Sequence, residues 1–205
     1  MIDSIAIRAA FRSLRPVRCD MHALTVLVGD QGAGKSTLLS IISGKLNAPG
    51  ILKLESKDHD LENSRVLYYD FERDNPRMQS NIDQSPCAAF SVASRFISHG
   101  ETMTSVIRWL EETEPAPGNG LILLLDGPDT GLSPINALRL ADTLRRIAKK
   151  PRMQVIASIH NPWVISGVCE ILRVPEFRWE SAAEYLSEVK NSLYDGKNFQ
   201  YGDTF

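Results

Sequence analysis

The chain has 205 residues, a formal net charge of −2 and a hydrophobic fraction of 43%. This length provides one well-formed core but too little chain for two full domains. The longest uninterrupted aliphatic run, residues 121–125, is far too short to cross a bilayer, and no apolar segment follows a basic region at the start of the chain. We therefore expect one cytoplasmic domain over residues 1–205, without a membrane span.

The first half of the chain alternates between short apolar segments and turn-rich ones. Residues 4–10 and 17–21 predict two short strands of a small antiparallel element beside the main sheet. Residues 24–28 predict a buried strand, and residues 36–43 continue with the apolar spacing of a helix. Residues 47–64 are polar and rich in turn residues.

The segment between that buried strand and that helix fits the Walker A pattern G-x-x-x-x-G-K-S/T. Its glycines let backbone N–H groups turn inward around phosphates, its lysine neutralises phosphate charge, and its serine hydroxyl is a ligand for Mg²⁺. The bare pattern arises by chance in roughly one chain of this size in a hundred, or fewer. The pattern predicts phosphate binding by Asp30, Gln31, Gly32, Ala33, Gly34, Lys35, Ser36 and Thr37.

Two later apolar runs end in polar side chains that can act on a phosphate. Residues 121–125 predict a central parallel strand, and the carboxylate of Asp126 directly after it would hold Mg²⁺ through water, opposite Ser36. Residues 154–159 predict another strand, which ends in His160. If these two strands are neighbours, His160 lies level with Asp126 and can contact a γ-phosphate.

Two further helices are predicted in the second half of the chain. Ser133 and Pro134 are typical of a helix start. Residues 176–194 carry apolar side chains at helical spacing and predict a C-terminal amphipathic helix. That helix either packs on the core or docks a partner, and the sequence leaves both open.

In order and spacing, these motifs resemble those of the ABC-type P-loop ATPases of the SMC, RecF and OLD-nuclease kind, most closely the small members without a coiled-coil insertion. Residues 126–129, Asp-Gly-Pro-Asp, resemble the family's Asp-Glu-Pro-Glu run, and residues 160–162, His-Asn-Pro, resemble its switch histidine in His-Ser-Pro. The resemblance implies a single ABC-type ATP-binding domain of the α/β class. It would have a mostly parallel central sheet flanked by helices and a reduced helical subregion over residues 47–120.

The resemblance also implies roles for residues outside the Walker motifs. Arg12 lies in the turn that relatives place against the bound ATP, and Glu72 stands at the Q-loop position, where it would contact the metal. Residues 97–101 resemble the signature motif, whose serine and glycine reach the γ-phosphate held by a second subunit. Here those two residues are Ser98 and Gly100. The implied state is a homodimer that encloses two molecules of ATP with Mg²⁺.

One position departs from the family's pattern. The family's general base is the glutamate directly after the Walker B aspartate, and this chain has Gly127 there. Loss of a positioned base slows a reaction by about 10²- to 10⁴-fold. We therefore expect ATP binding with slow turnover, unless Asp129, two residues further on, serves as a substitute base.

Two functions remain open from the sequence. One is an ATPase whose dimer opens and closes to drive a protein partner or a nucleic-acid transaction. The other is a non-hydrolysing ATP-binding module whose dimer is itself the signal, and Gly127 favours this second function. A P-loop kinase ranks lower because it gives no role to Ser98 or His160. The partner itself is not identified by the sequence.

Overall fold

The computed structural model describes residues 1–56, 61–74, 105, 107–109 and 111–194. Within these ranges the strands are β1 (Ser4–Ile7), β2 (Val17–Asp20), β3 (Leu24–Val28), β4 (Leu52–Glu55), β5 (Ser64–Asp70), β6 (Gly120–Asp126), β7 (Met153–Ser158), β8 (Glu170–Arg173) and β9 (Arg178–Ser181). The helices are α1 (Lys35–Ile42), α2 (Pro134–Ala148), α3 (Pro162–Ser166) and α4 (Ala182–Tyr194), and residues 105, 107–109, 111 and 112 are also helical. None of the described helices is long and apolar enough to cross a membrane.

The central sheet contains six strands in the order β5-β6-β7-β3-β8-β9. The pairs β5–β6, β6–β7, β7–β3 and β3–β8 are parallel, and the pair β8–β9 is antiparallel. Residues 121–125 of β6 are at most 2% exposed, because both faces of this sheet are covered and its central strands are therefore apolar throughout. The structure confirms the predicted α/β fold with a mostly parallel sheet.

A second, smaller sheet has the order β2-β1-β4 and is antiparallel throughout. Its first two strands confirm the predicted N-terminal antiparallel element. Its third strand, β4, was not predicted, because it lies in the segment expected to be turn-rich. Leu52 and Leu54 alternate there with Lys53 and Glu55, and Leu54 lies opposite Ile5 of β1. The four residues of β4 are too few for their own pattern to predict a strand, and they form one because they pair with β1.

The core lies on both faces of the central sheet. Because successive strand residues point to opposite faces, residues 121, 123 and 125 of β6 pack with α2 and α3, whereas residues 122 and 124 pack with α1 and the small sheet. The helix α2 begins at its predicted cap, where the Ser133 hydroxyl accepts a hydrogen bond from the Asn136 N–H at 3.5 Å. Since α1 follows β3 and α2 follows β6, both helices begin at the edge where the parallel strands end.

The C-terminal region differs from its prediction. Residues 178–181 form β9, and α4 begins at Ala182. Trp179 lies opposite Leu172 of β8, and its indole N–H donates to the Asp20 carbonyl at 3.0 Å. The predicted helix over residues 176–194 was therefore wrong over its first six residues, because pairing with β8 outweighs the apolar spacing there.

Candidate functional site

The Walker A loop follows the carboxyl end of β3 and ends at the N-terminus of α1. Gly34 caps that helix with a φ of +106°, a left-handed conformation that L residues rarely adopt. A Cβ at this position would also lie 2.8 Å from Leu14 Cδ2. The N-cap makes no side-chain hydrogen bond to the first turn, which leaves the N–H groups of that turn available to an anion.

Lys35 is buried, with 4% of its surface exposed. Its Nζ donates hydrogen bonds to the carbonyl oxygens of Gly29 at 2.7 Å and Asp30 at 3.0 Å. Burial lowers the pKa of Lys35, and the negative charge of Asp126 opposes that change. The loop thus holds a cation on neutral carbonyl groups, and phosphate oxygens would be stronger acceptors for it.

The two Walker motifs meet at one carboxylate. The Ser36 hydroxyl donates to Asp126 Oδ1 at 3.0 Å, and the Tyr68 hydroxyl donates to Asp126 Oδ2 at 3.2 Å. Burial raises the pKa of Asp126, and the hydrogen bond from Ser36 opposes that rise. Because charge on this half-buried carboxylate is costly, a divalent cation beside it would be favourable.

The contact of Tyr68 with Asp126 was not predicted. Tyr68 lies in β5, and nothing in the sequence indicates which strand lies beside that one. The parallel pairing of β5 with β6 brings together two residues that are 58 positions apart in the chain. A pattern that covers only a few neighbouring residues carries no information on such a pairing.

His160 follows β7, which pairs in parallel with β6 so that Ser158 lies opposite Asp126. The side chain of His160 lines the same cleft as Ser36 and Asp126. Burial lowers the pKa of His160, and the positive charge of Lys35 lowers it further. The imidazole is therefore neutral at pH 7.

Asp129, which the sequence offers as a substitute base, is bound by backbone N–H groups. The residue is 4% exposed, and its Oδ2 accepts hydrogen bonds from the backbone N–H groups of His160 at 2.7 Å and Asn161 at 2.5 Å. Its Oδ1 is buried without a hydrogen-bond partner in the described part of the chain. Asp129 therefore ties the loop after β6 to the loop after β7 and does not line the cleft.

Gly127 lines the cleft directly beside Asp126. Its φ is +65°, and a Cβ there would lie 3.2 Å from Thr130 Oγ1. The turn after β6 thus has a backbone conformation that favours glycine. The position at which the resembled family has a glutamate is therefore occupied here by a glycine that suits this turn.

Arg12 and Glu72 reach the cleft from two surface turns. Residues 11–14 form a tight turn closed by backbone hydrogen bonds, and the Ser13 hydroxyl donates to the Gly32 carbonyl at 2.5 Å. That hydrogen bond holds the turn that carries Arg12 against the Walker A loop. Glu72 is exposed just after the end of β5.

Six of the predicted site residues are brought together in a cleft of about 600 Å³. Its lining includes Arg12, Ser36, Thr37, Glu72, Asp126 and His160. Residues 30–32 are exposed on the Walker A loop, and Ala33 is buried. Ser98 and Gly100 lie outside the described residues.

The chain is similar to known proteins in sequence and in structure. The family model of ABC transporters matches residues 16–116. The ADP conformation of MJ1267, an ATP-binding cassette of an ABC transporter, aligns with a TM-score of 0.57 and 15% identity over 96% of this chain and 97% of that one. The chain has the fold of an ABC-type ATP-binding cassette. It also aligns with cbiO1 from Clostridium perfringens, part of the ABC transporter complex cbiONQ, with a TM-score of 0.56 and 14% identity over 94% of both chains. A comparison with curated protein sequences finds no significant match.

The donor atoms in the cleft of this chain fit Mg²⁺. In nucleotide sites, this ion is held by one or two protein oxygens together with phosphate oxygens and water. The hydroxyl of Ser36 and the carboxylate of Asp126 are such a pair, 3.0 Å apart. Among the residues that the structure describes, no three or more His, Cys, Asp or Glu side chains form a group that could hold a metal ion.

Proposed function

We propose that this cassette binds ATP with Mg²⁺ and hydrolyses it slowly, as a homodimer that encloses two nucleotides. The observation that carries the proposal is the contact between Ser36 of Walker A and Asp126 of Walker B beside the buried cation of Lys35. A glycine-rich loop, a buried lysine and a hydroxyl–carboxylate pair together supply what a nucleoside triphosphate and its metal ion require.

Several residues in and beside the cleft would have a definite part in binding. Lys35 would exchange its two carbonyl partners for phosphate oxygens, and the first N–H groups of α1 would bind the same phosphates. Ser36 and Asp126 would hold Mg²⁺, which neutralises phosphate charge when bound. The neutral imidazole of His160 can donate one hydrogen bond to the γ-phosphate, and Arg12 would add positive charge at the edge of the cleft.

Slow hydrolysis is proposed because the described cleft offers no carboxylate at the position of the general base. Gly127 has no side chain, and the carboxylate of Asp129 is bound by two backbone N–H groups away from the cleft. Glu72 remains our proposal for a further metal contact, at the Q-loop position. Without a positioned base, we expect turnover about 10²- to 10⁴-fold below that of a cassette with the usual glutamate.

The dimer is proposed from the resemblance to SMC-, RecF- and OLD-like ATPases. In that family the signature motif completes the nucleotide site of the other subunit, and Ser98 and Gly100 would do so here. If hydrolysis is slow, the ATP-bound dimer is long-lived. This favours a cytoplasmic sensor or clamp, which signals to a protein partner or a nucleic acid, over a fast motor.

A second candidate is the nucleotide-binding subunit of a transporter. It is supported by the match of residues 16–116 to the ABC transporter family and by the structural similarity to MJ1267 and cbiO1, both of which are described as parts of ABC transporters. The partner would then be a membrane protein. The test is purification of the tagged chain in detergent. If a membrane-spanning protein is recovered with it and is lost after the detergent is removed, the transporter subunit is supported over the sensor or clamp.

The test of the proposed function is the solution mass of the full chain with Mg²⁺ alone, with ADP and with ATP, while phosphate release is followed in the same samples. We expect a monomer with Mg²⁺ alone or with ADP, a dimer with ATP, and slow release of phosphate. Lys35→Met is the control, because it keeps a long side chain but removes the cation, and it should remain monomeric with ATP. Rapid release would contradict slow hydrolysis, and an unchanged mass with ATP bound would contradict the roles of Ser98 and Gly100.

A further inference from the structure

We infer that Tyr68 is a positioning residue of the metal site, whose hydroxyl holds the Asp126 carboxylate in the orientation that binds Mg²⁺ beside ATP. This inference deepens the proposed function and rests on it. Tyr68 also lines the cleft, and the role inferred for it is exerted through its hydrogen bond to Asp126.

The Asp126 carboxylate is held at both oxygens by hydroxyl groups from two different elements. Ser36 on α1 donates to Oδ1 at 3.0 Å, and Tyr68 on β5 donates to Oδ2 at 3.2 Å. Ser36 is itself a proposed metal ligand, so its hydroxyl oxygen would turn to the ion when the ion binds. The hydrogen bond from Tyr68 would then remain to keep the carboxylate from rotating, with the hydroxyl of Ser158 also near it. Ligands of metal ions are commonly oriented by such outer hydrogen bonds.

The ring of Tyr68 is itself held in place. Lys45 Nζ lies 4.3 Å from the centre of the ring, and the same ammonium lies 3.6 Å from Asp74 Oδ2. Asp74 Oδ2 also accepts a hydrogen bond from the Asp70 N–H at 2.9 Å, at the end of the strand that carries Tyr68. Burial raises the pKa of Tyr68 to about 12, so its hydroxyl keeps its proton at neutral pH and remains a donor.

Tyr69, the next residue in the strand, makes structural contacts of the kind that a matched control requires. The Tyr69 hydroxyl donates to the backbone carbonyl of Asp74 at 2.9 Å, and the Tyr69 ring packs edge-to-face on Phe71 with centres 4.7 Å apart. Tyr69 packs with the core on the α2 face of the sheet, whereas Tyr68 packs with the core on the α1 face. Tyr69→Phe therefore removes a half-buried hydroxyl from the same strand without touching Asp126. Its lost partner is the backbone carbonyl of Asp74 and not the Asp74 carboxylate that faces Lys45, which makes it a matched control.

The experiment compares the full-length wild type, Tyr68→Phe and Tyr69→Phe, with Mn²⁺ as a paramagnetic replacement for Mg²⁺ and a non-hydrolysable ATP analogue. Mn²⁺ affinity in the presence of the analogue is measured by electron paramagnetic resonance, and affinity for the analogue without metal by calorimetry. We expect Tyr68→Phe to weaken Mn²⁺ binding about tenfold, the lower end of the effect of losing an outer partner of a metal ligand. Metal-free binding of the analogue should stay the same, and Tyr69→Phe should bind Mn²⁺ as the wild type does.

Two results would overturn the inference while the proposed function stands. The first is that Tyr68→Phe binds Mn²⁺ as tightly as the wild type does, while Asp126→Asn no longer binds it. The second is that Tyr68→Phe and Tyr69→Phe lose Mn²⁺ affinity to the same extent. Failure of the wild type to bind the analogue and Mn²⁺ would instead overturn the proposed function. If Tyr68→Phe does not fold, Lys45→Met tests the same point, because it frees the ring but keeps the hydroxyl. We expect it to weaken Mn²⁺ binding about threefold, and unchanged affinity would overturn the inference.

Discussion

Gly127 has an unusual backbone conformation at the position where the resembled family of ATPases has a glutamate. Its φ of +65° lies in the left-handed region, and its N–H donates to the Ser158 carbonyl at 3.2 Å. The turn is therefore bound to β7 in this conformation, where an L residue costs about 1–2 kcal/mol. A glutamate at this position would bring the base back only together with local strain.

This strain makes the effect of Gly127→Glu predictable in two measurements. We expect the variant to lose about 1 kcal/mol of stability in denaturant unfolding and to release phosphate at least ~10-fold faster than the wild type. Gly127→Ala is the control, because it introduces similar strain without a carboxylate. If Gly127→Glu binds ATP but releases phosphate no faster than Gly127→Ala, Gly127 does not explain slow turnover.

His160 gives a prediction about pH. Burial, followed by the charge of Lys35, lowers the pKa of His160 from 6.5, and Asp126 and Asp129 act in the opposite sense. The unfolded chain therefore binds this proton more readily than the folded chain, so His160 reduces stability as the pH falls through and below about 6.5. Between about pH 7.5 and about pH 5.5, we expect the melting temperature to fall less in His160→Gln than in the wild type. An equal fall in the two proteins would contradict the lowered pKa.

The loops that follow β6 and β7 are joined by a single carboxylate. The Oδ2 atom of Asp129 binds the N–H groups of both His160 and Asn161. Removal of a buried acceptor leaves these donors unsatisfied, at a cost of about 1–3 kcal/mol. The position of His160 in the cleft thus depends on a residue that does not line the cleft.

We therefore predict that Asp129→Ala lowers stability by about 2 kcal/mol and weakens ATP binding as well, because the loop that carries His160 is released. Asp129→Asn keeps one side-chain oxygen as acceptor and should lose less of both. Denaturant unfolding and calorimetry measure the two effects. If ATP affinity is unchanged in a folded Asp129→Ala, this loop does not contribute to the site.

Long apolar runs and short strands differ in how far they can be predicted. Residues 121–125 indicate a central strand by themselves, because a strand buried on both faces must be apolar throughout. The four-residue strands β4 and β9 carry no such signal, and β9 was predicted to be helical. Each became a strand by pairing with β1 or β8, so its conformation depends on a neighbour that the local pattern does not contain.

The two sheets are joined by a buried side chain. Gln154 of β7 is 1% exposed; its Oε1 accepts from the Ile2 N–H at 2.8 Å, and its amide donates to the Ile2 carbonyl at 2.8 Å and the His22 carbonyl at 3.1 Å. The small sheet is thereby attached to the central sheet. Since the turn that carries Arg12 connects β1 to β2, this attachment also helps to place Arg12 at the cleft.

Binding of ATP is expected to stabilise the whole molecule, because the unfolded chain has no formed loop to hold phosphates. At a ligand concentration about 100 times the dissociation constant, the gain is about 2.7 kcal/mol. We predict that Mg²⁺ and ATP raise the melting temperature of the wild type and not that of Lys35→Met. Without ligand, Lys35→Met should be at least as stable as the wild type, because it no longer buries a charge. Equal ligand-induced shifts in the two proteins would contradict the role of Lys35.

The Walker A loop and the central strands could be located from the sequence, because each is a run of contiguous residues. The glycines, Lys35 and Ser36 lie within one short segment, and Asp126 directly follows its apolar strand. The surroundings of Asp126 and His160 could not be read in this way. Tyr68 reaches Asp126 across 58 positions and Asp129 reaches His160 across 31. Such contacts depend on which strands pair and in which register, and pairing is settled by packing of the whole chain and not by any local pattern.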